Sequence, residues 1–459
     1  MKIIEQQRSS LNTDQYKIGF VGDKQTVYWD LVETLIKVGR VREAFQRAEQ
    51  AKARALVDML ASRKNFSRGK TSVKTETMLA QLKKLEIESL KITSKDQQGI
   101  KLRAIKIRNI KDRIAEDSPE VASITTIQPS RLDVLQQRLG DNETLLEYYG
   151  NKNDLLAFVV TKNSVTVSKL QGTELSKSVK NFRRFIEQKN RSFSNASKQL
   201  YRRLISPISQ KIKGKTLTIV PHGPLHYLPF SALKGPKGYL IQSYNIRILP
   251  SASVLKFLQS DKPVDQSLLA LGNPDLNDPK QDLSGAQVET KVIKQSWPQS
   301  KILLRQYASE ANFKKFAGSA RYIHLATHGK FNPKAPLQSR LLLAKGDGED
   351  GNLTVDELYN LTLNAELVTL SACQTGLGDV AKGDDVVGLN RGFLFAGAKS
   401  IISSLWSVSD SATAVLMKNL YANLKKQSKA SALRNAQLAT MKKYPHPFYW
   451  AAFQLNGGV

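Results

Sequence analysis

From residue 130 onward the chain alternates twelve short runs of aliphatic and β-branched residues with segments of helical periodicity. This alternation restricts the fold more than any other feature. The runs lie at 144–150, 155–162, 164–170, 216–221, 245–251, 267–273, 301–305, 321–329, 340–344, 367–373, 400–406 and 451–457. Helical patterns fit between them at 175–190, 195–212, 284–297, 308–317, 385–396, 410–427 and 430–443. Several runs lack the polar alternation of a half-exposed strand and instead read as strands covered on both faces. The pattern predicts an α/β domain with a mostly parallel sheet flanked by helices. In such sheets, functional groups gather at the carboxyl ends of strands.

The N-terminal part has a different texture. In residues 1–66, Leu31, Leu35, Val38, Ala44, Ala48 and Ala55 recur at helical spacing, and Gly39 separates two such stretches. Tyr28, Leu31, Gly39, Ala44 and Ala48 resemble one tetratricopeptide repeat, a helix–turn–helix unit. A single unit is also what a plain helical hairpin capping the next domain looks like. The polar stretch "SRGKTSVKT" at 67–75 reads as a linker. Residues 76–118 then carry two basic amphipathic segments separated by "TSKDQQG", which predicts a second helical hairpin.

Composition narrows the setting. An apolar fraction of 41% suits a folded core rather than a disordered chain. A single cysteine among 459 residues rules out an intrachain disulfide. The N-terminus lacks the apolar stretch of a signal peptide, and no run of 18 apolar residues occurs, so no membrane span or membrane partner and a cytoplasmic location are expected. The net charge is +29 and uneven: residues 161–250 hold 17 basic and 2 acidic side chains, whereas 351–400 hold 3 and 6. The basic field is a solubilising surface or an attraction for nucleic acid, acidic proteins or anionic lipid, but no nucleic-acid motif accompanies it.

Two strand ends carry chemistry. "IHLATHG" puts His328 at the end of one strand, and "LVTLSACQTG" puts Cys373, the lone cysteine, at the end of a later one. The 45 residues between them are enough for a crossover between neighbouring parallel strands. An imidazole beside a thiol is the arrangement of nucleophilic catalysis: the base activates the sulfur and later protonates the leaving amine. The N–H groups of Gly329 and Cys373 are the natural oxyanion donors. A lone cysteine in an apolar strand is also commonly a small buried hydrophobe. Spacing alone leaves both open.

"YIHLATHGKFNPKAPLQSRLLLA" and the long segment from "LVTLSACQTG" to "SLWSVSDSATAVLM" resemble the CHAT family of caspase-like cysteine peptidases, relatives of caspases and separase. "LTIVPHGPLHYLPFSAL" and "LALGNPDL" are similar to that family too. "AEQAKARALVDML" resembles the helical flank joining tetratricopeptide repeats to a CHAT domain. The resemblance implies the caspase–haemoglobinase fold over 130–459, with 130–260 as a non-catalytic half and 265–459 as the catalytic half. It implies a cysteine endopeptidase in which His328 is the catalytic histidine and Cys373 the nucleophile, acting on a protein substrate. A regulatory protein partner is expected to act through the N-terminal helices. A catalytically silent adaptor on the same fold is the alternative.

The remaining candidates are weaker. His324 shares a strand face with His328, either as a structural residue or as a support for it. Asp379, Asp384, Asp385 and Asp410 follow the nucleophile, and the resemblance to separase gives acidic residues there a role in binding a basic substrate side chain. Asp410 and Asp385 are the candidates, although Ser409 and Asp410 also suit a helix N-cap. Trp406 is expected in a cleft wall or in the core. His222 and His226 lack the partners of a metal site. No phosphate-loop glycine pattern is present, so neither metal nor cofactor is expected.

Overall fold

The computed structural model describes residues 25–52, 77–78, 81, 85, 105–107, 109–110, 113, 131–258, 267–332, 335–371, 379–381 and 385–459. The expected linker at 67–75 and nearly all of the hairpin at 76–118 lie outside these residues. Helices α1 (Gln25–Lys37), α2 (Val41–Gln50) and α3 (Leu132–Arg138) precede strands β1 (Glu143–Gly150), β2 (Asp154–Val160) and β3 (Val165–Gln171). Helices α4 (Leu175–Glu187) and α5 (Phe193–Leu204) lead to β4 (Thr216–Val220), β5 (Asn245–Ile248) and β6 (Leu268–Pro274). Then come α6 (Ser284–Ser296), β7 (Lys301–Arg305), α7 (Glu310–Phe316), β8 (Tyr322–Ala326), β9 (Gly329–Lys330), β10 (Arg340–Leu342) and β11 (Asn352–Thr354). The chain continues through α8 (Val355–Tyr359), β12 (Leu367–Leu370), β13 (Asp379–Ala381), β14 (Asp385–Val387), α9 (Leu389–Ala396) and β15 (Ser400–Ser404). It ends with α10 (Asp410–Leu424), α11 (Lys429–Lys443) and β16 (Phe453–Gly457).

One eleven-stranded sheet organises all of this, in the order β3-β2-β1-β4-β5-β16-β15-β12-β8-β6-β7. Antiparallel pairing in it is confined to β2–β3, β1–β2 and β15–β16, and the other neighbours are parallel. The expected mostly parallel sheet is therefore present. Strand β16 returns from the C-terminus to join the β1–β5 part to the β6–β15 part. The small sheet β9–β10–β11 stands apart and follows His328 directly.

Alternating side chains feed two cores. Tyr149, Leu271, Ile323, Val368 and Ile401 face one layer, made by α1–α3 and α7–α9. Tyr148, Ala270, Tyr322, Leu367 and Ile402 face the other, made by α4–α6, α10 and α11. Burial on both sides explains why these strands read as continuous apolar runs.

The α1–α2 hairpin turns at Gly39, whose φ of +77° suits glycine. Tyr28, Ala44, Phe45 and Ala48 are fully buried. Trp29 packs on Tyr149, and Phe45 meets Phe158 edge-on at 5.7 Å, so the hairpin sits on the sheet itself. Polar anchors follow the apolar ones. The buried Glu49 carboxylate accepts from Ser251 Oγ (2.9 Å), Ala252 N (3.0 Å), Ser253 N (2.8 Å) and Ser253 Oγ (2.6 Å). The buried Lys52 ammonium donates to the carbonyls of Tyr148 (2.7 Å) and Pro221.

Candidate active site

Strand β8 delivers the histidines. It pairs in parallel with β12, with His324 beside Thr369, and Ser371 N donates to Leu325 O at 2.9 Å. The ends of β8 and β12 therefore meet at one edge of the sheet. Just past β8, His328 Nε2 lies 2.9 Å from the backbone oxygen of Gln281. A carbonyl can only accept, so Nε2 carries the proton and a neutral ring presents Nδ1 as a free lone pair. Next to it, Gly329 stands opposite Leu341, while the flanking Leu342 N donates to His328 O at 2.9 Å. Gly329 is thus at a non-hydrogen-bonded position of the ladder, and its N–H points away from β10.

A cleft of about 70 Å³ opens there, lined by Glu289, Thr327, His328, Ser371, Trp406 and Asp410 among others. Its floor is a buried polar chain. Ser371 Oγ donates to Glu289 Oε2 at 2.9 Å. Glu289 Oε1 faces His324 Nε2 at 3.1 Å, off the hydrogen-bond direction. On its other side His324 Nδ1 is 3.0 Å from the hydroxyl of Tyr421, which donates to Thr369 Oγ1 at 3.1 Å. Burial pushes the Tyr421 phenol well above its usual range, which keeps it neutral. His324 is completely buried, and Glu289 stands between it and the cleft.

The wall is built from the segment after β15. Trp406 is 2% exposed, its indole N–H donates to Phe448 O at 3.0 Å, and it also lines the cleft. Arg183 of α4 reaches across to donate to Leu405 O at 2.9 Å, tying this wall to the β1–β5 part of the molecule. Asp410 begins α10 and is exposed at the cleft rim. Its carboxylate rests on Gly285, where a Cβ would come within 2.2 Å of Asp410 Cγ. Gly285 and Glu289 are one turn apart on α6, so two carboxylates follow each other along one helix face. Ser409 is the backbone N-cap of α10 but makes no side-chain cap; its hydroxyl is bonded to Ser411 Oγ at 2.9 Å.

Cys373 lies outside the described residues, two positions beyond Ser371 in the chain. Asp385 begins β14, but its side chain also lies outside them. His222 sits edge-on to Tyr149 at 5.3 Å and is not among the cleft residues. Sequence reading missed Gln281, Glu289 and Ser371. Gln281 acts through its backbone oxygen, which no side-chain pattern reveals. Glu289 sits in an ordinary amphipathic helix, and only its burial marks it out. Ser371 was visible beside the cysteine but carried no signal of its own. The three carboxylates Glu310, Glu349 and Glu357 gather elsewhere, around Lys314 Nζ at 2.7, 2.7 and 3.0 Å, where the ammonium already compensates them.

A mostly parallel sheet between helices, with a strand-end histidine facing a cleft, makes this an α/β protein with a candidate site at the sheet edge. The solved structures of the Saccharomyces cerevisiae separase–securin complex share this fold: at 11–12% identity they superpose with a TM-score of 0.51, covering 96% of this chain and 40–41% of that chain. The model of the CHAT domain matches residues 194–458, and the chain belongs to that family. Tetratricopeptide repeat protein 28 of Homo sapiens and of Mus musculus is 25% identical to this chain over an alignment of 319 positions, and the match covers 56% of this chain. The chain spans 13% of the length of these relatives. No described helix is long and apolar enough to cross a membrane.

Proposed function

We propose that this protein is a cysteine endopeptidase of the caspase and separase type, with His328 as base and Cys373 as nucleophile. The observation that carries the reading is the His328 imidazole, held by the Gln281 carbonyl so that its Nδ1 is the free base, in a cleft that also includes Ser371, two positions before the cysteine in sequence. In this reading Nδ1 takes the thiol proton and the sulfur attacks the substrate carbonyl carbon. The N–H groups of Gly329 and Cys373 hold the oxyanion. The imidazolium then protonates the departing amine, and water, deprotonated by the same ring, releases the acid from the thioester. Residues 130–260 act as the non-catalytic half, and His324 steadies the floor through Glu289.

The cleft's charge supports a basic residue at the cleaved position. Asp410 at the rim and Glu289 at the floor offer two carboxylates to one guanidinium or ammonium, with Asp385 a third candidate nearby in sequence. The N-terminal hairpin, docked on the sheet through Glu49 and Lys52, is the proposed docking site of a regulatory protein.

The test is covalent labelling of the full chain by peptidyl acyloxymethyl ketones with Arg, Lys, Ala or Asp at the first position. Labelling by the Arg and Lys probes, abolished in Cys373→Ser and His328→Ala variants that retain the wild-type circular dichroism, supports the proposal. Folded wild-type protein that no probe labels, with candidate partner proteins present, favours the adaptor alternative.

A further inference from the structure

The loop between β6 and α6 is fastened more heavily than a connection of its length requires. Asn273, buried at the end of β6 with a φ of +47°, donates through Nδ2 to Asp282 Oδ1 at 3.2 Å and accepts from Leu283 N at 2.8 Å through Oδ1. Asp278 accepts from Lys280 N at 3.0 Å and from Gln281 Nε2 at 2.9 Å, and Gln281 N donates to Asp278 O at 2.9 Å. Arg305, the last residue of the sheet-edge strand β7, is held at a φ of +55°, a conformation unusual for arginine. Its guanidinium pairs with Asp282 and lies 3.8 Å from Asp275, so one side chain joins both ends of the loop. Gln281, whose oxygen contacts His328, is the neighbour of Asp282.

We propose that Arg305 is a positioning residue for His328: its bridge from Asp275 to Asp282 keeps the Gln281 carbonyl on the imidazole. The inference rests on the peptidase reading, since it gives the ring a thiol to activate. The carbonyl fixes the Nε2–H tautomer and stabilises the imidazolium once Nδ1 has taken a proton. A loosened loop leaves the ring free to turn and the imidazolium without its acceptor, so less thiolate forms near neutral pH. Among the described residues, the other charged groups on the elements around the ring include Glu289 and Asp410 in the cleft, Asp278 and Lys280 in the loop, Lys330 on β9, Arg340 on β10, and Lys291 and Lys294 on α6. The ion pair itself is partly exposed, so its loss leaves the fold intact.

The lone cysteine makes the test clean. The rate of alkylation by iodoacetamide is measured from pH 5 to pH 9 on wild type, His328→Ala, Arg305→Gln, Arg305→Lys and Asp282→Asn, with thermal melts as the fold control. Arg305→Gln and Asp282→Asn are expected to slow alkylation by about tenfold near pH 6.5, with wild-type rates at pH 9, where the thiolate forms unaided. Arg305→Lys falls between. If both variants follow the wild-type profile, or are slowed equally at every pH, the positioning role is wrong. If His328→Ala itself follows the wild type, the histidine–cysteine reading fails, whatever Arg305 does. Asp282→Asn keeps the question decidable should Arg305→Gln not fold.

Discussion

Replacing Glu49 with alanine should release the helical hairpin from the α/β domain, and its cost can be worked from the contacts. The carboxylate receives four hydrogen bonds from Ser251, Ala252 and Ser253 at the start of a short 3₁₀ turn, and it is only 1% exposed. The two serine hydroxyls can rotate to other acceptors, and Ser253 N retains a bond to Ser251 Oγ at 3.1 Å. Ala252 N has no such substitute and is left bare in the interior, at a cost of roughly 1–3 kcal/mol. The lost charge-assisted bonds add about 1.5 kcal/mol. The sum is about 2.5–4.5 kcal/mol, a large share of the ~5–15 kcal/mol that holds a typical domain together. Glu49→Gln keeps one acceptor oxygen but turns an NH₂ toward the remaining donors, so it should cost about 2 kcal/mol. Urea unfolding followed by tryptophan fluorescence reads the midpoint shift, and limited proteolysis reads whether α1–α2 is released first. A Glu49→Ala change under about 0.5 kcal/mol at constant m-value would show that apolar packing alone docks the hairpin.

Three further outcomes follow from the geometry. Gly285→Ala places a methyl within 2.2 Å of Asp410 Cγ and must displace that carboxylate; labelling by Arg and Lys probes should fall at least tenfold (about 1.4 kcal/mol) relative to Ala probes, and unchanged selectivity would remove Asp410 from the substrate site. Gly214→Ala combines a φ of +78° with a Cβ 2.3 Å from the Asn142 carbonyl, so a loss of about 2–3 kcal/mol is expected in urea unfolding, and a wild-type midpoint would contradict the contact. Burial first, and then the Glu357 carboxylate, hold Glu310 up at about 7 against the pull of Lys314. The unfolded carboxyl therefore ionises first, and Glu310 costs the fold stability as pH rises from its ordinary 4.5 through about 7. Glu357 behaves oppositely: burial opposes its charge, but hydrogen bonds from Thr354 and Lys314 outweigh burial and lower it to about 2, so its contribution is lost only as pH falls from 4.5 toward 2. Glu310→Gln should gain on wild type between pH 5 and pH 8; a constant difference in urea midpoints would refute this.

The sequence by itself determined the strands of the main sheet and the sheet type, but not the short strands β11, β13 and β14, the last of which falls in a segment read as helix. Every one of the twelve runs overlaps a strand, and the central strands β6, β8, β12 and β15 are buried along their whole length, as strands covered on both faces must be. It also placed His328 at a strand end, since the His-Gly pair closes such a run. What it could not set was which distant segments face one another. Strand β16 lies between β5 and β15 although more than two hundred residues of chain separate it from β5 in sequence. The Gln281 oxygen, the Glu289 carboxylate and the Gly285 surface that seats Asp410 become a site only when α6, β8 and α10 pack together. Periodicity reports burial of each segment one at a time, whereas a backbone acceptor or a carboxylate gains its role from the groups that the folded chain brings against it.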